Sequence, residues 1–115
     1  MDCEIILMTE NIDVCRYFYR EVVGLGEPEL DSCQQVIFRL GKEAVLVLEK
    51  SELPCMGHAS CACRFALGVK DIEALEKRMQ QYGSPMSDGF GRLGRVVRRG
   101  SDPEGNLFQV FSVAG

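Results

Sequence analysis

The sequence predicts an α+β domain in which one strand–helix–strand–strand unit is written twice. Three observations carry this. Strand and helix signals come in the same order in both halves of the 115 residues. The halves superpose on a fixed shift without a gap. The chain closes on a tight turn at 102–106 that feeds a short apolar strand.

Cys3–Thr9 (CEIILMT) has the β-branched and apolar content of a strand. Asn11 or Asp13 caps the helix that follows. Val14, Tyr17, Phe18 and Val22 recur there at near-helical spacing, and Gly24 stops it. Glu27-Pro28-Glu29 is a break. Residues 35–40 and 44–49 are two further strands, joined by a turn at Gly41-Lys42-Glu43, and 51–60 is a loop marked by Pro54 and Gly57. Residues 61–69 form the next strand. Asp71 caps a helix that carries Ile72, Leu75, Met79 and Tyr82 on one face and ends at Gly83. Residues 83–94 are glycine-rich and irregular, and 95–99 and 107–113 are the last strands. Within the irregular stretch, Gly89-Phe90-Gly91-Arg92-Leu93-Gly94 spells G-x-G-x-x-G. It follows a turn (Gly83-Ser84-Pro85) and leads into Val96-Val97, so it is a loop and not a dinucleotide cradle.

A shift of 60 places Glu4-Ile5-Ile6-Leu7 on Arg64-Phe65-Ala66-Leu67 and Asn11-Ile12-Asp13 on Asp71-Ile72-Glu73. It also places Val36-Ile37 and Arg39 on Val96-Val97 and Arg99, and Glu49 on Gln109. The internal repeat therefore runs roughly over 1–55 and 61–115. Neither copy buries its sheet face alone, so both are expected to pack as one domain over 1–115.

With 46% apolar and 26% charged residues, the composition is that of a soluble globular protein. No apolar run reaches membrane-spanning length and no secretory signal is visible, so the expected compartment is the cytoplasm. A net charge of −4 argues against nucleic acid as a partner. The charge is uneven: residues 1–60 carry 5 basic and 11 acidic side chains, residues 61–115 carry 8 and 6. Arg92, Arg95, Arg98 and Arg99 cluster either as a solvated face or as a patch for an anionic ligand or acidic partner.

The cysteines (Cys3, Cys15, Cys33, Cys55, Cys61 and Cys63) are expected to be reduced thiols. Cys55, His58, Cys61 and Cys63 lack the second ligand pair of a structural zinc site.

The Asp102-Pro103-Glu104-Gly105-Asn106 turn, the helix-end phrase from Phe18-Tyr19-Arg20 to Gly24-Leu25, and the order of elements together resemble the vicinal oxygen chelate superfamily. That superfamily holds glyoxalase I, bleomycin- and fosfomycin-resistance proteins and extradiol dioxygenases. The resemblance implies two βαβββ repeats forming a curved, barrel-like mixed sheet around a cavity, with the helices outside, and a homodimer. It also implies four inward positions that usually hold histidine, glutamate or glutamine around one divalent ion. Here they are Glu4, Glu49, Arg64 and Gln109. Glu4, Glu49 and Gln109 offer oxygen atoms, whereas Arg64 is a fixed cation without a lone pair. The simpler arrangement pairs Arg64 with Glu4 or Glu49.

Strand alternation adds Ile6, Met8, Val45, Val47, Ala66, Gly68, Leu107 and Phe111 to the cavity side. It packs Ile5, Leu7, Leu46, Leu48, Phe65, Leu67, Phe108 and Val110 under the helices. The leading expectation is a metal-free small-molecule binding protein with a degenerate metal site. Its carboxylates suit a cationic ligand, and Arg64 suits a carboxylate or phosphate. The alternative is a lyase, isomerase or dioxygenase using Mn, Mg, Ni, Zn or Fe. A third reading is a structural dimer whose cavity is filled by a Glu–Arg–Glu network.

Overall fold

Asn11 and Asp71 each open a helix. The Asn11 carboxamide oxygen accepts from the Val14 N–H at 3.2 Å, and an Asp71 carboxylate oxygen accepts from the Ala74 N–H at 3.1 Å. These side chains satisfy donors that the first helical turn leaves unpaired. A computed structural model describes residues 1–51, 64–89, 91 and 94–113. The chain divides into two units, Met1–Ser60 and Cys61–Gly115, which correspond to the two halves of the repeat.

The first unit runs β1 (Cys3–Thr9), α1 (Ile12–Tyr17), a π-helical turn (Phe18–Val22), β2 (Leu30–Asp31), β3 (Gln35–Arg39) and β4 (Ala44–Lys50). Its four strands lie in the order β1-β4-β3-β2, with β1 parallel to β4 and the remaining pairs antiparallel. The helical segment ends where the Leu25 N–H reaches back to the Tyr19 carbonyl at 3.0 Å, with Gly24 at φ +89°. A side chain at that φ would be strained, which is why glycine stops the helix here.

Beneath the helix lie Leu7, Leu46 and Leu48 from the strands and Cys15, Phe18 and Tyr19 from the helical segment, all buried. Tyr19 packs its ring 6.5 Å from that of Phe38.

The second unit repeats the plan with β5 (Arg64–Val69), α2 (Ile72–Tyr82), β6 (Ser87–Asp88), β7 (Val97–Ser101) and β8 (Leu107–Ser112), in the order β5-β8-β7-β6. Phe65 and Phe108 stack at 5.8 Å, and they are buried with Leu67, Leu75, Met79 and Val110. The architecture is thus α+β: two βαβββ modules, each with its own four-stranded mixed sheet, and no closed barrel among the described residues.

The strand expected at 95–99 lies two residues later, at Val97–Ser101, and that at 35–40 ends at Arg39. The two-residue strand β2 follows directly on the break expected at Glu27-Pro28-Glu29, and β6 falls in the irregular stretch expected at 83–94; neither was expected, because two residues are too short to show alternation. The expected loop at 51–60 lies outside the described residues beyond position 51. The start of the strand at 61–69 also lies outside them, as do Cys55, His58, Cys61, Cys63 and Arg92.

One correction bears on the site. The shift of 60 holds through the first strand and the helix of each unit, but not through the last two strands. Gln109 pairs with Ala66, and the residue on β1 equivalent to Ala66 is Ile6, which pairs with Val47. The structural counterpart of Gln109 is therefore Val47, at a shift of 62, and not Glu49. By the same ladders, Arg99 is level with Gln109 and Ile37 with Val47.

Candidate functional site

In both units the strand faces divide as alternation requires. In the first unit Glu4, Ile6 and Met8 on β1 share a face with Val45, Val47 and Glu49 on β4, with Glu4 beside Val45, Ile6 beside Val47 and Met8 beside Glu49. Four residues of strand separate Glu4 from Glu49 along this ladder, about 13 Å at the usual rise. Upright side chains at that spacing do not share one small ion. Glu49 is also engaged elsewhere: its Oε1 accepts from Gln35 Nε2, on the neighbouring strand, at 3.1 Å.

A divalent ion, which the resemblance implies, does not find a donor set among the described residues of either unit taken by itself. Of the positions equivalent between the two units, Glu4 in the first and Gln109 in the second carry oxygen atoms. Val47 carries no donor, and Arg64 brings a positive charge without a lone pair. Among the described residues no three acidic, cysteine or histidine side chains cluster as a cation site would need.

The second unit presents a different chemistry. On the face of its sheet away from α2, strand pairing builds two adjacent rows. One row is Arg64 on β5, Leu107 on β8 and Ser101 on β7. The next is Ala66, Gln109, Arg99 and Ser87, crossing all four strands. Arg64 and Arg99 thus stand on either side of β8, two strand spacings across and two residues along, about 12 Å between their backbones, with Leu107 and Gln109 between them. A pocket of about 230 Å³ opens here, lined by Arg64, Ser87, Arg99, Ser101, Leu107 and Gln109 together with Pro85, Gly100 and Phe108.

None of the described residues lining the pocket is acidic. Arg99 donates from its Nε to the Asp88 carbonyl oxygen at 3.2 Å. Within its own unit, and among the described residues, Arg64 belongs to no ion pair. The expected pairing of Arg64 with Glu4 or Glu49 concerns two units and is not described by either one. Glu49's recorded side-chain partner is Gln35.

The arginine cluster of the sequence divides by strand parity. Arg98 points to the helix face, where it meets Glu76 Oε1 at 3.1 Å and Asp88 Oδ1 at 3.3 Å. Arg95 lies over the Phe111 ring, 5.0 Å from its centroid. Arg99 alone of the described three lines the pocket. Phe111 shares the face of Gln109 but sits beneath Arg95.

Of the residues lining this pocket, the sequence singled out Arg64, Leu107 and Gln109 for a site, and not Arg99, Ser87 or Ser101. The available signal for Arg99 was its place in the basic cluster. Its alignment with Arg39, two residues out of register, concealed that it lies level with Gln109.

No family model matches the chain, and no curated protein matches its sequence. Solved structures do resemble it. Lactoylglutathione lyase from Agrobacterium tumefaciens superposes with a TM-score of 0.74 at 23% identity, covering 97% of this chain and 92% of the other. TnmS3, an antibiotic binding protein from Streptomyces sp. CB03234, gives 0.73 at 21% identity over 99% and 96%. A glyoxalase/bleomycin resistance protein from the same Streptomyces strain gives 0.68 at 21% over 96% and 99%. Each of these likenesses spans both modules. The chain therefore has the vicinal oxygen chelate fold, the fold of the glyoxalase and bleomycin-resistance proteins.

Proposed function

We propose that this protein is a metal-free small-molecule binding protein of the glyoxalase/bleomycin-resistance type, in which the positions that hold a metal elsewhere have lost their donor set. The observation that carries this reading is the strand register. It makes Val47, and not Glu49, the counterpart of Gln109, so the equivalent positions carry Glu4 and Val47 in one unit and Arg64 and Gln109 in the other. A cation there meets repulsion and too few ligands. A pocket with polar groups set in an apolar sheet is the makeup of a small-molecule site. A neighbour in fold that is an antibiotic binding protein agrees with this reading.

Metal analysis of the untreated protein, followed by thermal shift of stripped protein against Mn, Mg, Ni, Zn and Fe(II), tests the proposal. A ligand that binds the folded state alone raises the melting temperature. The expected result is no stoichiometric metal and no shift. One equivalent of metal, with a shift that Glu4→Ala removes, overturns the reading and directs assays to lyase or dioxygenase chemistry.

A further inference from the structure

We infer that the pocket of the second unit is an oxyanion subsite, built to take the carboxylate or phosphate end of a small ligand between Arg64 and Arg99. This deepens the proposal of a metal-free binding protein and rests on it. Two guanidiniums that approach one pocket repel each other. Among the described residues, no acidic side chain lines the pocket to neutralise them. An anion placed between them relieves that repulsion and accepts from both. The Nε of Arg99 is held on the Asp88 carbonyl, and among the described residues Nη1 and Nη2 have no hydrogen-bond partner, so they are available to a ligand. Gln109, directly opposite Arg99 across the β7–β8 ladder, supplies an amide donor, and Ser87 and Ser101 supply hydroxyls on the same face.

Size points the same way. At about 230 Å³ the pocket is smaller than the 300 Å³ or more of ordinary drug-sized sites, so it receives the charged end of a ligand and not the whole of a large one. Leu107, exposed at 42%, lies between the two arginines and offers an apolar seat for the first carbons behind the anion. A cationic ligand, which the net charge of −4 alone favours, is disfavoured locally: the acidic excess lies in residues 1–60, and the pocket belongs to the basic half.

Carboxylate and phosphate share this chemistry, and calorimetric titration separates them. Benzoate, phenyl phosphate, inorganic phosphate, neutral benzamide and cationic benzylamine are titrated into the metal-stripped protein, with the Arg64→Gln and Arg99→Gln variants alongside. Both arginines are exposed, so neither substitution removes core packing. The expected result is that benzoate or phenyl phosphate binds, benzamide and benzylamine do not, and each variant weakens binding about tenfold. Affinity is also expected to fall as salt is raised. Preference for phenyl phosphate assigns a phosphate ester and preference for benzoate a carboxylate. Binding of inorganic phosphate alone assigns a bare anion without the apolar seat.

No anion binding, or anion binding unaltered in both variants, overturns the inference. Failure of the parent reading looks different. There, untreated protein carries metal, anions bind only before stripping, and Arg99→Gln has no effect.

Discussion

Gln35 and Glu49 face each other across the β3–β4 ladder, and the Gln35 amide donates to the Glu49 carboxylate at 3.1 Å. A carboxylate that strand parity places on the open side of the sheet thus has a neutral partner on its own sheet. The pair is part-buried, and a bond of this kind contributes about 1 kcal/mol net. A double-mutant cycle with Gln35→Ala and Glu49→Ala is expected to show a coupling of that size in urea melts. Additive effects of the two substitutions reject the pairing.

Asp102 organises the turn before β8. Its carboxylate is 5% exposed, and it accepts from the Glu104 N–H at 2.9 Å, the Asn106 N–H at 2.8 Å and Asn106 Nδ2 at 2.9 Å. Asp102→Ala strips three donors of their acceptor and is expected to cost about 3 kcal/mol in denaturant unfolding. Asp102→Asn keeps an oxygen for the two backbone donors and is expected to cost less than half as much. Equal losses in the two variants contradict this account.

Two glycines on the second sheet separate by what a methyl group meets. At Gly68 an added Cβ lies 2.7 Å from Val113 Cγ1 and 3.0 Å from the Phe111 ring. A β-branched side chain and a ring cannot both step aside, so Gly68→Ala is expected to cost about 2 kcal/mol. At Gly100 the neighbours are the terminal methyls of Met79 and Met86 and Cζ of Phe108, each at 3.2 Å. Methionine ends give way readily, and Gly100→Ala is expected to stay within about 1 kcal/mol of the parent. Thermal melts that reverse this order refute the packing argument.

Acid is expected to release the Glu29–Arg39 pair. Arg39 donates from Nε to Glu29 Oε1 at 2.8 Å and from Nη2 to Oε2 at 3.1 Å. These hydrogen bonds, with the guanidinium charge behind them, hold the Glu29 carboxyl below its ordinary value of 4.5. A depressed carboxyl stabilises the folded state fully above that ordinary value, and its contribution fades as pH falls through the lowered one. Both side chains are exposed, so salt screens the effect. The melting temperatures of the parent and Glu29→Gln are expected to differ at neutral pH and low salt and to converge in acid. A gap that persists in acid, where Glu29 is protonated, contradicts the assignment.

Much of the fold was legible in the residues. The caps at Asn11 and Asp71 and the stops at Gly24 and Gly83 stand where their chemistry placed them. Ile5 and Leu7 on β1 and Phe65 and Leu67 on β5 take the side that alternation assigned them. The register of the last two strands was not legible, for a physical reason. Strand side chains repeat every two residues, so an offset of two leaves every inward residue inward. Hydrophobic patterning is blind to such a slip, whereas a slip of one would have turned Val110 and Phe108 outward. Glu49 was matched to Gln109 on a shift that pattern could not refute, and the same offset hid that Arg99 lies level with Gln109.

The parallel pairing of β1 with β4, and of β5 with β8, fixes the order in which each half of the chain acquires its structure. β3 and β4 meet across the short turn at residues 40–43, whereas Cys3 waits for Ala44 and Arg64 for Leu107. Loop-closure entropy makes these distant pairings the slow steps, and their nearly equal spans make them comparably slow. Among the described residues no strand ladder is shared between the two sheets. Each ladder is thus completed by strands of its own half of the chain.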